Sequence, residues 1–287
     1  MHFNFAFTAV QVLWTLTFAA QLVLLVVLLG RDRMGRYPWF TGSIALFAFR
    51  LLTEVLLAGR MPIPTLRAVF ITLALLLSVV NLAVLVEIAR RAFVGVKRIL
   101  WINGALTLLT TAVVVVMFWG PWPSRADLAV DSPLALLRLL AFISQKLDML
   151  SSVLAVELGL LIVLVGRKFK AGWRSHTQQI AIGLSTVAIA WLAVQASWQI
   201  IARTVHPLTR QDYEHVIALG NKLVNANKVV YIVVLVWWIV CLWLDEPGTA
   251  QPEVLEAEGV AELTEVSGED ATEAQMQDAG NEDESEN

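Results

Sequence analysis

The sequence predicts an all-α polytopic membrane protein, a bundle of seven transmembrane helices followed by a disordered acidic C-terminal tail. Three observations predict it. Of 287 residues, 57% are apolar and 16% charged, with a mean hydropathy of +0.68, against roughly 45–50% and 25% in ordinary soluble domains. Apolar runs long enough to cross about 30 Å of hydrocarbon, which takes about 20 helical residues, recur along the chain. Charge is also segregated: residues 1–244 hold all 21 Lys and Arg with 9 acids, and residues 245–287 hold the other 15 acids and no base. The net charge of −3 therefore sums a basic membrane body and an acidic tail.

The spans fall at about 6–30, 39–59, 65–90, 98–120, 136–166, 178–202 and 220–244, within a transmembrane domain covering 1–245. No charge interrupts Met1 to Gly30, Ile99 to Ser124 or Val229 to Leu244, whereas the second span carries Arg50 and Glu54. Unpaired backbone polar groups are not tolerated in lipid, so each run is expected to be helical. Nothing basic precedes the first run and Arg31, Arg33 and Arg36 follow it, which favours a retained helix over a cleaved signal peptide.

Loop charge sets the expected orientation. Arg31, Arg33, Arg36, Arg90, Arg91, Lys97, Arg98, Arg167, Lys168, Lys170 and Arg174 fall on one side; Arg60, Arg67, Arg125, Arg203 and Arg210 fall on the other. The excess marks the first side as cytoplasmic, with the N-terminus outside, in a plasma or bacterial inner membrane. Arg138, Lys146, Lys222 and Lys228, near outer helix ends, narrow that margin. Trp39, Trp101, Trp173 and Trp243 mark the inner interface and Trp119, Trp122 and Trp198 the outer one, while Trp14, Trp191, Trp237 and Trp238 lie deeper and read as packing residues.

The tail, 246–287, is acidic and lacks aromatic residues, a composition that cannot bury enough surface to offset its ordering entropy. It is expected to be a solvated terminus; recruitment of a basic protein partner is the alternative, and the basic inner loops are a second candidate surface. An ungapped offset of 136 residues pairs Leu24–Ala45 with Leu160–Ala181 at nine of 22 positions, including the Gly30–Arg31 and Gly166–Arg167 steps. If it is a repeat, helices one to three and five to seven are related in parallel around a linker helix, a 3+1+3 plan used by some transporters.

Ionisable and amide side chains inside spans are costly and mark candidate sites. Arg50 and Glu54, one turn apart, are placed to neutralise each other. On the fifth span Lys146 and Asp148 fall near the outer interface and Glu157 near mid-depth; Lys146 and Glu157, about three turns apart, share a face. Glu157 is either a proton-carrying or ligand-binding carboxylate or a protonated, hydrogen-bonded one. Gln195 and Gln199 form a stripe on the sixth span, and Asn221, Asn225 and Lys228 form one on the seventh. With Arg50 and Glu54 these suggest a polar vestibule in the outer half, suited to a small polar or anionic ligand; the competing reading is hydrogen-bonded glue between helices.

Lys228, 16 residues before Leu244 and so about 24 Å from it along a helix, is too far out for the mid-membrane Schiff base of retinal proteins. Glu87, one turn before Arg90 and Arg91, reads as interfacial pairing. In HPLTRQDYEH, the spacing of His206, Asp212 and His215 fits no established zinc pattern and reads as a hydrated loop. The lone Cys241 leaves no disulfide or thiolate cluster within the chain. No catalytic, nucleotide, cofactor or metal motif occurs, and the dispersed bases give no support for nucleic-acid binding. The sequence thus points first to a non-enzymatic sensor or interaction protein, second to a small-solute transporter, and third to an intramembrane enzyme.

Overall fold

The computed structural model describes residues 8–57, 59–94, 96–119, 122, 133–165, 175–204 and 209–245. They form seven helices: α1 (Ala9–Gly30), α2 (Pro38–Leu57), α3 (Ile63–Ala92), α4 (Arg98–Phe118), α5 (Pro133–Val165), α6 (His176–Thr204) and α7 (Arg210–Trp243). All seven are long and apolar enough to cross a membrane, and no strand occurs among the described residues. The chain is an integral membrane protein of multi-pass, all-helical architecture. The seven helices lie within one compact unit that ends at Leu244. The acidic tail at 246–287, the basic run from Arg167 to Arg174, Gly166, Trp173, Arg125 and His206 lie outside the described residues.

Local chemistry explains where the helices start. Thr8 and Gln11 make a capping box on α1, and Thr209 and Asp212 make one on α7. Proline opens α2 and α5 and stands at the start of α3, where a missing N–H costs nothing. The Thr209 box corrects the expected outer loop: α7 begins at Arg210, so part of HPLTRQDYEH is helical and Asp212 is a capping residue. Gly59 takes a positive φ of 74° in the turn between α2 and α3, a conformation that favours glycine.

Neighbouring helices close a ring, with α1 against α2, α2 against α3, α3 against α5, α5 against α6, α6 against α7, and α7 back against α1. Helix α4 stands outside this ring and packs on α5. Successive spans alternate in direction, so one end of the bundle carries the starts of the odd-numbered helices (the starting end) and the other carries their finishes (the finishing end).

The finishing end holds the main core. Leu24, Val27 and Leu28 of α1, Phe40 and Ile44 of α2, Val84 and Ile88 of α3, Leu158 and Ile162 of α5, Ile180 of α6 and Leu235, Trp238 and Leu242 of α7 form one buried cluster. Phe40 meets Trp238 edge-on at a centroid distance of 5.0 Å, across the ring. Small residues let helices approach: a Cβ on Gly159 would strike the Ser185 side chain of α6, and one on Gly183 would strike the Trp238 indole. The outside of the bundle is apolar, with Val26 66%, Leu164 77% and Phe118 88% exposed, while Gln21 and Ser78 are fully buried. That inversion of the soluble pattern fits lipid as the surrounding solvent, where apolar exposure carries no penalty and polar groups must find partners inside.

Polar contacts fasten the same end. Tyr37 Oη and Thr177 Oγ1 lie 2.9 Å apart, joining the start of α2 to the start of α6. Arg33 contacts the His176 ring, and its Nη2 donates to the Leu244 carbonyl at 2.9 Å, tying the α1–α2 turn to the end of α7. Glu87, expected to serve its arginine neighbours alone, does more. It is buried beside Arg91, and its Oε2 accepts the Phe40 N–H at 3.1 Å. That N–H belongs to the first turn of α2, whose donors lack intrahelical partners and whose dipole favours a negative charge, so a carboxylate from α3 caps α2.

Candidate functional site

The starting end is built differently. A cleft of about 660 Å³ opens between α2, α3, α5 and α6, within the range of small-molecule sites. Helical periodicity puts its walls together. On α3, Arg67, Phe70, Ile71 and Ala74 follow the i, i+3, i+4, i+7 rule and share one face. On α5, Ala141, Ser144, Gln145 and Asp148 do the same, and on α6 Trp191 and Gln195 stand one turn apart. Arg50 enters from α2, and Ile63 and Leu66 flank the rim.

Charge in the cleft is unbalanced. Two guanidinium groups, Arg50 and Arg67, face one carboxylate, Asp148. Asp148 Oδ1 is hydrogen-bonded to the Ser78 hydroxyl, which continues the Arg67–Ala74 face one turn deeper along α3. Arg50 lies close enough to act on Asp148 electrostatically, but no ion pair of Arg50 occurs among the described residues. The remaining lining is mostly apolar. Chemically the cleft offers donors and positive charge at the Arg50 and Arg67 positions, amide groups from Gln145 and Gln195, and an apolar wall.

Of the residues singled out from sequence, Arg50, Asp148 and Gln195 line this cleft. Arg50 and Glu54 do not form the expected pair: Glu54 is exposed on the bundle's outside, whereas Arg50 is half-buried and turned to the cleft. Arginine preceding an acid by one turn is the weaker helical order, and the Asp148 carboxylate lies on the opposing helix.

Lys146 is engaged elsewhere. Its Nζ donates to the Trp119 carbonyl at 2.7 Å and sits 4.6 Å from the Trp122 ring centroid, fastening the end of α4 to α5. Glu157 lies eleven residues on, about three turns along α5, and is not among the residues lining the cleft; its buried Oε2 has no hydrogen-bond partner among the described residues. Gln199, half-buried, lies one turn beyond Gln195 and outside the lining. Asn221 is exposed, Asn225 and Lys228 are half-buried, and none of the three lines the cleft, because α7 packs between α6 and α1 away from it.

Sequence reading passed over Arg67, Ser144 and Gln145, and it took Trp191 for a packing residue although Trp191 lines the cleft. The usable signal was spacing: a base at Arg67 and a hydroxyl at Ser78, eleven residues apart, share one helical face.

No group of three or more His, Cys, Asp or Glu side chains arranged to hold a metal occurs among the described residues. No protein-family model matches the chain, and neither a curated protein nor a solved structure matches it.

Proposed function

We propose that this chain is a non-enzymatic membrane sensor that binds a small anionic solute in the cleft at the starting end of the bundle. The proposed orientation puts that end outside and the acidic tail in the cytoplasm, as the excess of basic residues in the loops at the finishing end favours. One observation carries the reading: Arg50 and Arg67, from two different helices, both line a space to which the described residues contribute a single acid, Asp148, so the lining holds one positive charge in excess. Arg50 is half-buried within a membrane span and forms no ion pair among the described residues, and a bound anion offsets the cost of that charge. The absence of nucleophile, metal or cofactor motifs in the sequence supports binding over chemistry. The transport alternative rests on the possible 3+1+3 repeat and on Glu157, which is not among the residues lining this cleft.

The test uses the full chain in phosphatidylcholine nanodiscs with butyrate as the probe. Butyrate should raise the unfolding temperature relative to chloride at equal ionic strength, since a ligand that binds only the folded state stabilises it by mass action. Arg50→Gln and Arg67→Gln should each fold normally and lose that rise. A rise of equal size in both variants, or none in the parent chain, contradicts the reading.

A further inference from the structure

We infer that the ligand of this cleft is an amphiphile, a single-chain carboxylic acid whose head group meets Arg50 and Arg67 and whose hydrocarbon chain lies along Leu66, Phe70, Ile71 and Trp191. This rests on the anion-binding reading above and narrows it. The argument comes from how the lining is divided. Charged and amide groups occupy the ends of a few side chains, and the surface between them comes from Ile63, Leu66, Phe70, Ile71, Ala74, Ala141 and Trp191. A small hydrophilic anion would satisfy the guanidinium groups and leave that apolar wall against water. A purely apolar guest would cover the wall and leave the guanidinium groups without a counter-ion. A chain with a carboxylate at one end matches both demands.

Volume and position agree with a single chain. About 660 Å³ is ample for a medium-length acid. The cleft is also bounded at its deep side: Ser78 is fully buried, bonded to Asp148, and below it begins the packed core of Leu85, Ile88 and Trp238. A guest therefore enters from the starting end and stops at Asp148. The carboxylate of Asp148 also selects, because it repels a head group driven past the arginines and keeps the acid's charge near Arg50 and Arg67.

The experiment is a chain-length series, butyrate, hexanoate and octanoate, each titrated against the full chain in phosphatidylcholine nanodiscs and followed by thermal shift. Octyltrimethylammonium serves as the control of opposite head charge. Each methylene that leaves water for the wall should tighten the apparent Kd by about 3- to 4-fold, so octanoate should bind about two orders of magnitude more tightly than butyrate. That slope should vanish in the Arg50→Gln/Arg67→Gln double variant and flatten in Leu66→Gln. The ammonium should give no stabilisation.

Equal, arginine-dependent affinity for butyrate and octanoate would leave anion binding standing and overturn the amphiphile. A slope unchanged by Leu66→Gln would overturn it as well, since the chain would then lie elsewhere. Acid binding that is absent, or unaltered in the double arginine variant, would overturn both readings. Loss of octanoate binding on adding phosphatidylglycerol to the nanodisc would assign the cleft to a bilayer lipid and overturn the free acid.

Discussion

The two ends of the bundle use polar residues in opposite ways. At the finishing end, Tyr37 meets Thr177, Arg33 meets His176 and the Leu244 carbonyl, and Glu87 caps α2, so polar groups act as fasteners around a core closed by Phe40 and Trp238. At the starting end, Arg50 and Arg67 border open space whose lining, among the described residues, contains one carboxylate, Asp148. Both arrangements sit in the same ring of helices. The difference teaches that a charge inside a span is informative only with its neighbours: Glu87 and Arg50 look alike in sequence, yet one completes a helix terminus and the other faces a cleft.

That contrast predicts a gradient of mutational effects. The largest belongs to the closed end. Gly183→Leu forces a side chain into the Trp238 indole and should cost about 3 kcal/mol or more, the upper range for overpacking, read as loss of monodisperse protein on size-exclusion chromatography in detergent. A normally folding Gly183→Leu variant would show that the finishing end is looser than described. Next comes Glu87→Ala, which strips the acceptor from the Phe40 N–H and should destabilise by about 1–3 kcal/mol, with Glu87→Gln recovering part of the loss. The smallest loss of stability should come from Arg50→Gln, which breaks no ion pair found among the described residues and removes a costly half-buried charge, so the ligand-free unfolding temperature should be unchanged or raised.

The architecture was legible because hydrocarbon thickness writes itself into a sequence as run length, and all seven helices fall on the expected apolar runs. The start of α7 was not, since Arg210 to Leu219 is too polar to read as a span and its helix is set by the Thr209 box and by continuity with the span that follows. The site was legible only in part. Depth could be counted from helix ends, which put Arg50, Asp148, Gln195 and Lys228 in one half of the bundle. Which faces meet depends on ring order, which no single helix encodes. Packing α3 against α5 brings Ser78 to Asp148, and packing α7 between α6 and α1 takes Asn225 and Lys228 out of the lining. Lys146 shows the same limit, for its partner is the backbone carbonyl of Trp119, just past the end of α4, which carries no sequence signature.

The asymmetry between the two ends is tested most directly by thiol accessibility. Cys241 is the only native cysteine, so Cys241→Ala supplies a silent background for Gln195→Cys in the cleft and Val234→Cys in the core. A membrane-impermeant sulfonate-bearing thiol reagent added to intact cells should modify Gln195→Cys rapidly and leave Val234→Cys untouched, with octanoate slowing the first reaction. Silence at Gln195→Cys, or equal labelling of the two positions, would contradict a bundle that is open and charged at one end and closed at the other.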